Sequence, residues 1–138
     1  TLNVVDSIVK LSDDRFPEHM LRKGRDLASK HFASFKMALA AGVPMAAGAD
    51  DFYQPDRPAG LPSELVTDVR YGMSPQQALV TATTGSAALL GLDQLGTLEV
   101  GKEGSLIALE GDPLTDMAAV TRVRAVVKAG TIVTRPSK

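Results

Sequence analysis

The spacing of apolar positions changes several times along this chain, and each change marks an element. Thr1–Val5 is a short β-favouring run that opens without a preceding turn, as a cut strand would. Lys10–Arg15 is polar and turn-like, and Pro17 is suited to open a helix. From Glu18 to Ala41 apolar residues recur every three or four positions. Leu21, Leu27 or Ala28, His31, Phe35 and Leu39 share one face, while Lys23, Arg25, Lys30 and Lys36 lie mostly on the other. The Ala-rich end of this stretch favours helix, and Gly42 is a natural stop. Gly24 predicts a break or a two-helix arrangement within it.

Val43–Ala47 is continuously apolar and too short for a helix, the pattern of a parallel strand buried on both faces. Pro44 lacks an N–H and belongs at the strand's beginning. Asp50–Leu61 is a loop rich in Pro and Gly, and Pro62 starts a short helix through Tyr71, closed by Gly72. Ser74, Pro75 and Gln77 have the spacing of a capping box that opens the next helix. A further short helix, opened by Thr84 or Ser86, ends at Gly91. Beyond it the period shortens to that of strands: Ser105–Leu109, Val123–Lys128 and Thr131–Thr134, with Ala129-Gly130 making the last two a tight hairpin.

Composition narrows the function classes. The chain has 138 residues, 44% of them hydrophobic, enough for one ordinary core. Fifteen Lys and Arg against sixteen Asp and Glu leave a net charge of −1, which argues against nucleic-acid and anionic-membrane partners. Cysteine is absent, so disulfides, thiolate metal sites and a thiol nucleophile are excluded, and a cytoplasmic location is expected. No apolar run approaches the ~20 residues a membrane span needs. The first residue is Thr rather than Met, so the chain is expected to be cut from something longer.

Two strands of barrel type cannot close a parallel barrel, which takes about eight. Three later strands leave unpaired edges that a complete protein covers. The element count therefore predicts that partners for these strands lie in the rest of the polypeptide or in a second chain. Ser34, Ser63 and Ser86 lack a nucleophile-elbow context, which removes a serine-hydrolase reading. Gly101–Gly104 is too short for a phosphate loop and reads as a turn. His19 and His31 stand twelve apart without zinc-ligand spacing, so His19 is expected in solvent and His31 in a packing or hydrogen-bonding role.

His31–Phe35, Ala40–Val43 and Gly48-Ala49-Asp50 resemble the last two barrel units of the metal-dependent amidohydrolases, closest to their imidazolonepropionase-like and Xaa-Pro dipeptidase-like branch. Gly72–Leu79 and Ala82–Thr84 resemble that family's final barrel helix; Leu95–Lys102, Gly111–Leu114 and Val126–Gly130 resemble its C-terminal β-sandwich. The resemblance implies an α/β fold: the last strands and helices of a (β/α)8 barrel over residues 1–92, and part of a small β-sandwich over 93–138. It implies hydrolysis of a carbon–nitrogen bond in a small amide, peptide or cyclic amidine-like substrate by metal-activated water.

Asp50 inherits the role of metal ligand and proton shuttle, because its Gly-x-Asp pattern matches. The divalent metal, by that resemblance zinc, takes most of its ligands from outside this chain. Ala49 stands where the family has Thr or Ser, Asp51 follows directly, and the family's His-x-His pair, bridging Lys or Glu and further histidines would lie upstream of Thr1. Phe52 and Tyr53, just past Asp50, are candidates to line a substrate pocket, and Arg57 to meet a substrate carboxylate; Glu64 is expected in solvent. The complete enzyme is expected to be an oligomer, and the isolated chain inactive. A subunit of a split hydrolase and a non-catalytic module retaining the fold are the alternatives.

Overall fold

A computed structural model describes residues 1–10, 17–50 and 60–133. Its first helix, α1 (Asn3–Lys10), stands where the sequence predicts a strand. The reason is distant in sequence. The Glu64 carboxylate accepts hydrogen bonds from the Leu2 and Asn3 amides, two of the donors a helix start leaves unpaired. Asp6 then pairs with Lys10 one turn on, and its amide donates to the Leu2 carbonyl at 3.0 Å. These contacts override the β-preference of Val4 and Val5.

Helix α2 (Glu18–Ala40) is one continuous helix, so no break occurs at Gly24. The missing Cβ is instead what lets α1 lie close: a side-chain carbon at Gly24 would collide with Ile8. Leu21 and Ala28 are buried, the three lysines and the arginine of the opposite face are exposed, and Leu27 is 46% exposed, so Ala28 takes the inward position. Gly42, at φ +66°, ends the helix, with the Gly42 and Val43 amides returning to the Leu39 and Ala38 carbonyls.

Residues 43–50 form no strand ladder among the described residues. A parallel strand exists only through its neighbours, and the described residues supply none. The Ala47 amide donates instead to the Thr81 carbonyl at 3.0 Å, and Met45 and Ala47 pack on the core. Helix α3 (Leu61–Arg70) begins after Gly60, at φ +80°. Helix α4 (Pro75–Val80) opens on the expected capping box: Ser74 Oγ accepts the Gln77 amide at 3.2 Å, and Gln77 Oε1 accepts the Ser74 amide at 2.8 Å. The next helix is not separately opened. A π turn over Thr81–Gly85 carries α4 directly into α5 (Ser86–Leu90), which stops at Gly91 in the left-handed region.

Strands β1 (Leu106–Leu109), β2 (Val123–Lys128) and β3 (Thr131–Val133) form an antiparallel sheet in sequence order. Leu106 faces Val127 and Val126 faces Val133; Ala129 and Gly130, both at positive φ, make the hairpin. The expected last residue of β3, Thr134, lies outside the described residues. A 3-10 turn at Met117–Thr121 brings Met117 and Val120 onto Leu65, Met73 and Ala78. This core joins α3 and α4 to the β module and supports Met45 and Ala47 from below. Among the described residues, no helix is long and apolar enough to cross a membrane.

Candidate functional site

Asp50 terminates the segment that leaves the core at Met45 and Ala47. Its backbone sits at φ +48°, a left-handed conformation that few residues besides Gly, Asn and Asp adopt. The residue is exposed, and its carboxylate has no hydrogen bond or ion pair among the described residues. A carboxylate on a left-handed backbone, with no partner among the described residues, is available to a ligand. Phe52, Tyr53 and Arg57 lie outside the described residues.

Beside this segment runs a cleft of about 560 Å³, and Met45–Gly48 form one of its walls. Asp50 is not among its lining residues. Thr1 and Leu2 form a second wall, and α3 contributes Glu64 and Asp68. His31 fixes the Thr1 side: its Nε2 donates to the Thr1 carbonyl at 2.9 Å, while its ring meets Phe32 edge-on. This is the hydrogen-bonding role the sequence suggests. His19 is exposed, likewise as expected.

Glu64 corrects the sequence reading. It is 3% exposed rather than solvated, and its Oε2 accepts the Asn3 amide at 2.7 Å beside the shorter bond from Leu2 to Oε1. One turn along α3, Asp68 is 4% exposed. Burial first, and the Glu64 charge second, push its carboxyl up to about 7. Their polar spacing along the sequence is that of a solvated helix face, which hides both. The available signal was their i, i+4 placement around the apolar Leu65 and Val69.

A third carboxylate, Asp6, knots α1 to α3. It is 5% exposed and accepts from Arg70 at 2.7 Å and from the Tyr71 hydroxyl at 2.9 Å. Tyr71 in turn stacks on Phe32 of α2, with ring centroids 3.8 Å apart. The three helices beside the cleft are thus fixed to one another by polar and aromatic contacts. Yet among the described residues no group of three or more His, Cys, Asp and Glu could hold a metal ion. These residues do not form a metal centre by themselves, and Asp50 offers a single carboxylate ligand.

The element order and this arrangement define a class. The Amidohydrolase family's sequence signature matches residues 2–133, and the chain belongs to that family. Among its relatives is the ochratoxinase of Aspergillus niger, 29% identical over 128 residues, covering 91% of this chain and 26% of the relative. The crystal structure of that ochratoxinase matches with a TM-score of 0.78 over 98% of this chain and 32% of its own. A Xaa-Pro dipeptidase with methionine bound in its active site matches with a TM-score of 0.84 at 30% identity, over 97% of this chain and 33% of its own. A molinate hydrolase matches with a TM-score of 0.66 at 28% identity, over 78% of this chain and 28% of its own. The chain therefore spans about a quarter to a third of the length of these proteins. The expected fold class holds: an α/β segment of an amidohydrolase followed by a small antiparallel β module.

Proposed function

We propose that this chain is the C-terminal part of a metal-dependent amidohydrolase that cleaves a carbon–nitrogen bond in a small amide, peptide or cyclic amidine-like substrate. Residues 1–92 contribute the closing strands and helices of its barrel, and 93–138 part of its β-sandwich. Supporting this reading are family membership and the open margins: among the described residues, 43–50 have no ladder partner, and β1 and β3 each pair on one side only. The remaining barrel comes from the same polypeptide or from a second chain.

The observation that carries the chemistry is Asp50, a carboxylate without a partner among the described residues, on a left-handed backbone at the end of a core-anchored segment. In that position it accepts the proton of an attacking water and delivers it to the departing amine nitrogen. A divalent ion, zinc by family resemblance, supplies a lowered water pKa and polarises the scissile carbonyl when bound. Asp50 provides one of its ligands and residues outside this chain provide the rest. Phe52, Tyr53 and Arg57 follow Asp50 closely enough in sequence to meet the substrate.

The test is Asp50→Asn in the complete polypeptide, assayed on a methionyl-proline dipeptide. Loss of a general acid–base group lowers kcat by about 10²–10⁴-fold. A variant turning over within about twofold of the parent refutes the assignment. Appreciable turnover by the 138-residue chain alone refutes the placing of the remaining ligands outside it.

A further inference from the structure

Glu64 does more than its helix requires. The pair α1 and α3 is already joined without it, by Asp6 to Arg70 and Tyr71 and by the Thr67 hydroxyl donating to Asn3 Oδ1 at 3.3 Å. What Glu64 adds is the placement of the backbone at Leu2 and Asn3, gripped by one oxygen each. The preceding carbonyl, that of Thr1, is gripped from the opposite side by His31 of α2. Three consecutive residues are thus held by side chains 30 to 62 positions away. Thr1 and Leu2 line the same cleft as Met45–Gly48, the segment that ends at Asp50.

We propose that Glu64 is a positioning residue for the hydrolytic site: it fixes residues 1–3 as the cleft wall that faces Met45–Gly48, the segment ending at Asp50, and so sets the space into which that acid is delivered. This rests on the activity proposed above. A buried carboxylate suits the task better than a neutral side chain, because both its oxygens accept and its charge faces the positive end of α1. Gln keeps the length but offers one acceptor oxygen, and its NH2 would face an amide N–H. Ala removes both contacts and leaves the Leu2 and Asn3 amides without these acceptors.

The experiment compares Glu64→Ala and Glu64→Gln with the parent in the complete polypeptide, by amide hydrogen exchange and by methionyl-proline hydrolysis per folded molecule. Exchange at Leu2 and Asn3 is expected to quicken, and with it exchange at Ala47, whose amide is bonded to Thr81. Misplacement of the acid by a fraction of an ångström lowers kcat by about 10–100-fold in Glu64→Ala with KM nearly unchanged, and Glu64→Gln recovers part of it. Unchanged exchange at Ala47, or kcat within about twofold of the parent, overturns the proposal. If the parent shows no turnover, the proposed activity fails, and the Ala47 exchange still decides this inference. Should Glu64→Ala not fold, Glu64→Gln is read on the same two measurements.

Discussion

Gly85→Ala tests how tightly the acid-bearing segment is seated. Gly85 lies in the π turn at φ −64°, a backbone conformation that alanine adopts freely, so space alone decides the outcome. A Cβ there would stand 2.5 Å from the Met45 carbonyl oxygen and 3.1 Å from the Val80 carbonyl oxygen. Ordinary C···O contacts begin near about 3.3 Å, so the Met45 carbonyl must retreat by roughly 0.8 Å while Val80 blocks the other direction. Both obstacles are backbone and cannot rotate aside. Overpacking of this kind costs about 1–3 kcal/mol, against a gain of about 1 kcal/mol from replacing glycine by alanine within a helix. The net expectation is a loss of up to about 2 kcal/mol, read by denaturant unfolding of the complete polypeptide. Retreat of Met45 also drags the segment whose Ala47 amide bonds Thr81, so kcat on methionyl-proline falls with stability. A stabilised variant, the usual result of Gly→Ala in a roomy helix, would refute the argument that the backbone contact at Met45 requires glycine here.

Other substitutions probe the neighbouring contacts. Gly24→Ala drives a methyl into Ile8 and is expected to destabilise by about 1–3 kcal/mol in the same unfolding assay; a gain in stability would mean α1 does not rely on that notch. Asp68 keeps its proton to about pH 7 when folded, whereas the unfolded side chain ionises near its ordinary value of about 3.9. Between those values the folded state binds more protons, so its stability falls as pH rises, by up to about 1.4 kcal/mol per pH unit. Asp68→Asn removes that slope and is the more stable protein at pH 8; identical pH–stability curves for the two would contradict the burial seen in the cleft.

Features set by a few adjacent residues were legible from the chain itself. Ser74 and Gln77 close a capping box because both partners lie within one turn, and Gly42 and Gly91 stop helices through their own backbone freedom. The Ala129-Gly130 hairpin and the strands it joins follow for the same reason. Asp50 stood out as an acid after an apolar run, a local pattern, and its family resemblance pointed to the class that the comparison with amidohydrolases bears out.

Long-range contacts decided the rest. Thr1–Val5 reads as a strand, yet Asn3–Lys10 is helical because Glu64, 61 residues past Asn3, supplies the acceptor its first amides need. Gly24 reads as a break, and it became the notch for Ile8 only once α1 folded onto α2. Glu64 reads as solvated, and it is buried together with Asp68 because α3 turns that face toward α1 and the cleft. Residues 43–50 make no ladder among the described residues, since hydrogen-bonded pairing depends on a strand's neighbours as much as on the strand. Propensity and capping are short-range free energies that a sequence displays directly, whereas burial and pairing exist only between parts of the chain that folding brings together.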